Sequence, residues 1–183
     1  MIAIITALLS FSITYLVLRW IIPRLKEEGI TGKDVNKPNN PEVAEMGGLG
    51  VLIGVVLSLS IISAIISIIN GFDVRIIVFL HSILLLGLIG VLDDLLSLPK
   101  WIKFITPIIG SIPIIIYSSL IDTSINLPII GSIDLGIFYV VFLLPIMYTG
   151  AANLTNILAG FNGLEYGLAV INYLFLIIVS YIY

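Results

Sequence analysis

The sequence predicts an all-α integral membrane protein, on three observations. Of its 183 residues, 60% are hydrophobic and only 10% are charged, and the mean hydropathy is +1.23; a soluble domain carries roughly a quarter charged residues. Six apolar runs lie at about 1–22, 47–69, 76–92, 104–121, 137–152 and 164–183, most of them near the ~20 residues that cross a bilayer as a helix. None shows sustained period-two alternation, which argues for helices over a transmembrane barrel. The absence of cysteine removes disulfides and thiolate metal sites. A formal charge of −3 gives no electrostatic footing for a nucleic-acid partner, and none is expected.

Taken in order, the first run has no basic flank ahead of it and no small-residue cleavage pattern before Pro23, so it reads as a retained helix rather than a signal peptide. In the following loop, 29–46, Pro38 and Pro41 exclude a regular helix. Lys33 and Lys37 offer ammonium groups to a phosphate there, while Glu27, Glu28, Asp34, Glu42 and Glu45 exclude a polybasic lipid anchor. Gly47, Gly48 and Gly50 open the second run, and Gly50 with Gly54 has the small-xxx-small spacing of close helix packing. Arg75 reads as an outer-surface anchor. His81, inside the third run, reads as a packing or hydrogen-bonded helix residue. The loop at 122–136, with Pro128, Gly131 and Gly136 between short Ile/Leu runs, suits a small outer hairpin. No internal repeat or soluble second domain is visible, so residues 1–183 read as one polytopic membrane domain of about six helices.

Basic residues set the orientation. Arg19, Arg24, Lys26, Lys33, Lys37, Lys100 and Lys103 fall at or after runs one and three, and Arg75 alone lies on the other side. The positive-inside rule then places the N-terminus outside and the loops after runs one, three and five in the cytoplasm.

Three polar clusters share that side. The first is the Lys33/Lys37 loop. The second, at the end of the third run, is Asp93-Asp94 followed by Lys100, Trp101 and Lys103. Adjacent carboxylates beside a membrane repel and desolvate badly unless a divalent cation or an ammonium stands near. Neighbouring helix positions diverge by about 100°, so one acid is expected to face the site and the other a lysine or a helix end. The third cluster is Asn153-Leu-Thr-Asn156-Ile-Leu-Ala-Gly-Phe-Asn162-Gly-Leu-Glu165. Asn153 and Asn156, three apart, share one helix face, and Asn carbonyls are acceptable ligands for Mg²⁺. Together the clusters describe a site for an anionic, phosphate-bearing substrate.

With these blocks the sequence resembles the polyprenyl-phosphate N-acetylhexosamine-1-phosphate transferases, membrane enzymes of the glycosyltransferase family 4 type. They move a sugar-1-phosphate from a UDP-sugar to a polyprenyl phosphate and release UMP. The likeness rests on the Lys loop leading into Met46-Gly47-Gly48, the Asp93-Asp94 block, and the Asn153–Glu165 block, in family order. The last block is the most specific and is similar to the dolichyl-phosphate GlcNAc-1-phosphate branch. The bacterial peptidoglycan branch usually has aspartates where this chain has Ala159 and Asn162.

The resemblance implies transfer of GlcNAc-1-phosphate from UDP-GlcNAc to dolichyl phosphate with Mg²⁺ (or Mn²⁺) as cofactor. It implies Asn156 and Asp94 as metal ligands, and Asp93, Asp94 and Lys103 as the catalytic group, with Lys103 against the pyrophosphate. Asn153, Asn162, Glu165 and, by a looser alignment, Lys37 are the implied substrate contacts. Ser97 stands where the family often has Asp or Asn, which leaves the leading acid pair intact. The alternatives are undecaprenyl phosphate as acceptor, another UDP-HexNAc as donor, or a non-catalytic binding or assembly protein. The likeness covers about the first half of a family of some ten spans, so the sequence reads as the N-terminal portion of such an enzyme. Expected partners are the lipid bilayer, UDP-GlcNAc and polyprenyl phosphate, with a homodimer admitted. The expected location is the plasma membrane of a prokaryote or the endoplasmic reticulum of a eukaryote.

Overall fold

A computed structural model describes residues 2–34, 37–158 and 163–182, and the side chains of all of these except 120, 165, 181 and 182. All six apolar runs are helical. Helix α1 (Ile2–Glu27) leads through an antiparallel pair, β1 (Thr31–Lys33) with β2 (Glu42–Ala44), into α2 (Gly47–Asn70). A tight turn reverses the chain into α3 (Val74–Leu96). The fourth run is divided into α4 (Lys100–Ile105) and α5 (Ile108–Ile116). A second hairpin, β3 (Ser124–Leu127) with β4 (Gly131–Asp134), occupies the loop where the sequence predicts one. Next come α6 (Gly136–Phe138), a π-turn at Tyr139–Leu143, α7 (Leu144–Leu158) and α8 (Leu164–Ile182). Among the described residues four helices are long and apolar enough to cross a membrane: α1, α2, α3 and the continuous Gly136–Leu158. The remaining two runs are helical over shorter apolar stretches, with α8 apolar over Tyr166–Ser180.

Proline explains the interruptions. Pro107 has no N–H to return to the Lys103 carbonyl, so the helix divides there. Pro145 likewise leaves the Val141 carbonyl without its usual donor, and the π-turn lies directly before it. α1 runs through Pro23 to Glu27 at the polar end of the helix. There Arg24 stacks on Trp20, 3.9 Å from the ring centre, and donates to the Trp20 carbonyl at 2.7 Å.

The bundle places small side chains inside and large ones outside. Ser58, Ser82 and Ser111 are its fully buried side chains, whereas Phe11, Leu16, Ile68 and Phe175 are exposed. In water so much exposed apolar surface invites association; in lipid it is the surface the bilayer solvates, and helices meet through small residues. Gly50 and Gly54 are the contact of α2 with α1: a methyl group on Gly50 would lie 2.4 Å from Leu18 Cδ2, and one on Gly54 would lie 1.9 Å from Thr14 Oγ1 and 2.9 Å from the Thr14 backbone nitrogen. Gly87 meets Leu52, and Gly110 meets Leu86, in the same manner. His81 bonds the Ile77 carbonyl one turn back at 2.8 Å, as a hydrogen-bonded helix residue. Arg75 grips Asp73 through two nitrogens at 3.0 and 2.9 Å, and Asp73 caps α3.

The β3–β4 hairpin is fixed at its base by two carboxylates. Asp122 accepts from the Ser124 hydroxyl and backbone N–H; Asp134 accepts from the Thr123 hydroxyl and the Gly136 N–H. The Ser124 hydroxyl chiefly holds Asp122, and the Thr123 hydroxyl chiefly holds Asp134, below the ordinary carboxylate pKa. A lowered folded-state pKa adds stability that is complete above the unfolded value of about 4 and is lost as pH falls through the folded value. Corrected amide exchange over Ser124–Asp134 should therefore be flat from neutral pH down to about pH 5 and accelerate below about pH 4. Flat exchange down to about pH 2 would show that these bonds do not hold the hairpin. For the bundle, Gly54→Leu should separate α1 from α2 and lower stability by roughly 1–3 kcal/mol, read as a fall in thermal midpoint in detergent.

Candidate active site

The end of α3 is where the chemistry gathers. Ser97 closes the helix in the left-handed region at φ 49°, its N–H bonded to the Asp93 carbonyl at 2.9 Å. Pro99 then starts α4, and this reversal carries Lys103 back beneath Asp93. The Lys103 Nζ lies 2.7 Å from Asp93 Oδ1, with the two side chains only 35% and 22% exposed. Asp93 is thus the acid that meets a lysine. Asp94 lies beside it and lines the same cavity.

That cavity has a volume of about 380 Å³, within the range of small-molecule sites. Apolar Leu49, Leu52 and Leu86 line it together with Asp93, Asp94, Lys103, Thr106, Asn153 and Asn156. Gly48 and Gly90 also line it, and a methyl group added to either would meet no atom within 4 Å. Next to it a second recess holds Glu45 and Met46 against Asp93, Asp94, Ser97 and Lys103. Met46 takes a left-handed conformation, φ 62°, at the start of α2, a strained geometry for a side chain of this size. It turns the first loop toward the acid pair.

The structure thus brings Asp93, Asp94, Lys103, Asn153 and Asn156 together from three helices. Asn156 is exposed and Asn153 half-buried on one face of α7. Lys37 is held elsewhere, paired with Asp34 at 2.9 Å in the first loop, and is not among the residues lining either recess. Asn162 lies outside the described residues, as does the side chain of Glu165. Glu45 and Thr106 were not singled out by sequence reasoning. Glu45 reads there as one of five loop acids, and Thr106 carries no signal in a run of Ile and Phe. The Thr106 hydroxyl is buried without a hydrogen-bond partner.

The donors suit a hard cation. Asp94 offers a carboxylate and Asn156 a carboxamide oxygen, the atom types Mg²⁺ takes beside substrate phosphates and water. Among the described residues no three Asp, Glu, His or Cys side chains form a metal cluster.

Fold and site together define an integral membrane protein with an acid–lysine–carboxamide cavity at one end of its bundle. The sequence model of glycosyl transferase family 4 matches residues 76–183, and the chain belongs to that family. A protein of Saccharolobus solfataricus, provisionally named a UDP-N-acetylglucosamine–dolichyl-phosphate N-acetylglucosaminephosphotransferase, is 35% identical over 90% of this chain and 50% of its own length. A protein of Sulfolobus acidocaldarius with the same provisional name is 32% identical over 92% of this chain and 51% of its own length. The enzyme of that name from Dictyostelium discoideum is 29% identical over 87% of this chain and 43% of its own length. The chain spans about half the length of the curated relatives it matches.

Removing one partner of the Asp93–Lys103 pair strands the other at the membrane boundary. Lys103→Met should therefore destabilise the protein more than Lys103→Met combined with Asp93→Asn. The coupling in a double-mutant cycle, from thermal unfolding in detergent, should be roughly 0.5–3 kcal/mol. Additive effects would mean that the pair is not formed.

Proposed function

We propose that this chain takes part in transfer of GlcNAc-1-phosphate from UDP-GlcNAc to a polyprenyl phosphate of the dolichyl type. The observation that carries the reading is the convergence of Asp93, Asp94, Lys103 and Asn156 on one cavity that apolar side chains also line. The names of the relatives support the substrates.

In this reading an oxygen of the lipid phosphate attacks the β-phosphorus of the UDP-sugar. A P–O bond forms to that oxygen, the bond from the β-phosphorus to the bridging oxygen breaks, and its electron pair departs on UMP. The product is GlcNAc joined to the lipid through a diphosphate. The lipid phosphate is already a competent nucleophile, so positioning and charge neutralisation supply most of the catalysis. Lys103 neutralises the pyrophosphate, and Asp93 keeps its ammonium at the cavity wall. Asp94 and Asn156 would hold Mg²⁺ (or Mn²⁺), which supplies further neutralisation of the diphosphate. Asn162 and Glu165 contact the substrate, and Lys37 does so after release from Asp34; Asn153, the third expected contact, has its amide nitrogen bonded to two backbone carbonyls. Residues 1–183 act as one polytopic membrane domain. The site faces the cytoplasm, a placement supported by the seven basic residues at that end against Arg75 at the other.

The test is transfer of labelled GlcNAc-phosphate from UDP-GlcNAc to dolichyl phosphate in membranes holding this protein. Product should appear with Mg²⁺ and vanish on chelation. Asp94→Asn and Asn156→Ala should each lower the rate on the order of 10²–10³-fold. Near-wild-type rates for both variants would refute the site assignment, and absence of product from inserted, folded protein would refute the reaction.

A further inference from the structure

The amide nitrogen of Asn153 is engaged by backbone carbonyls although the residue lines the cavity. Its Nδ2 donates to the Thr149 carbonyl one turn back, at 2.8 Å, and to the Phe104 carbonyl, 49 residues away in sequence, at 3.0 Å. A carboxamide has two N–H donors, so only Oδ1 remains for a ligand. The second bond is the informative one. Phe104 follows Lys103 directly, and Asn153 stands one turn before Asn156.

The acceptor is a backbone group that its own helix leaves without a donor. The last carbonyls of a helix have no intrahelical donor. In α4 the Ile102 carbonyl receives the Thr106 N–H at 2.9 Å, Pro107 has no N–H for Lys103, and the Phe104 carbonyl is taken by Asn153. α4 itself has little to keep it in place. It is six residues long with no buried residue, and Trp101, Phe104 and Ile105 are exposed. A helix that short is unstable unaided. Two polar links bind it to the bundle: the Lys103–Asp93 ion pair to α3 and the Phe104–Asn153 bond to α7.

We infer that Asn153 is a positioning residue, whose donated bond to the Phe104 carbonyl holds the α4 segment bearing Lys103 at a fixed distance from Asn156. Without that bond the Lys103–Asp93 ion pair is the remaining side-chain polar tie of α4 among the described residues, and the ammonium loses its fixed distance from the carboxamide. The loss then falls on the transition state, which needs both groups in register, more than on ground-state binding. The inference rests on the transferase reading for its kinetic consequence, while its structural half stands apart from that reading.

The experiment compares wild type, Asn153→Ala and Asn153→Asp in lipid nanodiscs, by steady-state transfer kinetics and by hydrogen–deuterium exchange. Asp keeps an oxygen at the cavity but cannot donate, so it separates the donor role from ligand contact through Oδ1. Both variants should lose kcat on the order of 10–10²-fold, with KM for UDP-GlcNAc unchanged. Exchange should quicken over residues 100–106 and stay as in wild type over α1 and α2. Wild-type kcat in Asn153→Asp overturns the inference, as does a raised KM at unchanged kcat, which marks a substrate contact. Unchanged exchange over 100–106, or faster exchange throughout the bundle in both variants, also overturns it. If wild type itself transfers nothing, the transferase reading fails while the exchange result still decides whether Asn153 holds α4.

Discussion

Two adjacent carboxylates at the end of a membrane helix are an electrostatic liability, and the Lys103 ammonium 2.7 Å from Asp93 is what makes them tolerable. Two like charges side by side repel, and α3 carries no basic residue in its last turn to offset them. Relief has to come from a cation on another segment. The left-handed Ser97, the helix start at Pro99 and the shortness of α4 follow as the route by which a lysine ten residues onward returns to Asp93. Once it has returned, the cavity has an ammonium in its lining.

The bundle makes that meeting possible by close approach. Lipid offers no hydrophobic incentive for helices to associate, so contact depends on van der Waals fit through small residues. Gly50 and Gly54 against α1, Gly87 against Leu52 and Gly110 against Leu86 are the points where the backbones come near. They set the spacing of α2, α3 and α5, and so the width of the cavity between Gly48 and Gly90. The packing glycines and the cavity glycines therefore play opposite parts: a side chain at the first kind collides with a neighbour, and at the second it occupies space that a ligand needs.

A cavity lined by both apolar and polar side chains fits the proposed substrate, which joins a lipid chain to a phosphate. In the proposed reaction, charge neutralisation by Lys103, together with a cation that Asp94 and Asn156 would hold, requires the groups to keep their relative positions. The segment carrying Lys103 is the least supported helix of the site. Its polar ties to α3 and α7 are thus the natural points at which geometry is either kept or lost.

Much of this was legible in the sequence. Hydropathy placed the six apolar runs, because lipid solvation selects composition directly. Pro128, Gly131 and Gly136 marked the β3–β4 hairpin, and the small-xxx-small spacing marked the contact through Gly50 and Gly54. The acid pair and the Asn153–Asn156 spacing named part of the cavity lining, since adjacency and helical period are local properties. What the sequence could not supply was pairing across long separations. That Lys103 rather than Lys100 meets Asp93, that Lys37 is held by Asp34, and that Glu45 and Met46 border the acids depend on how the chain turns between helices. The division of the fourth run and the donors of Asn153 belong to the same kind: Pro107 is visible in the sequence, but the carbonyl it leaves open finds its partner 49 residues away. The sequence by itself determined the all-α membrane class and the chemical inventory, because these follow from composition and period. The tertiary structure decided which of those groups share a cavity, because proximity between distant segments is set by packing and by the rule that buried polar groups must find partners.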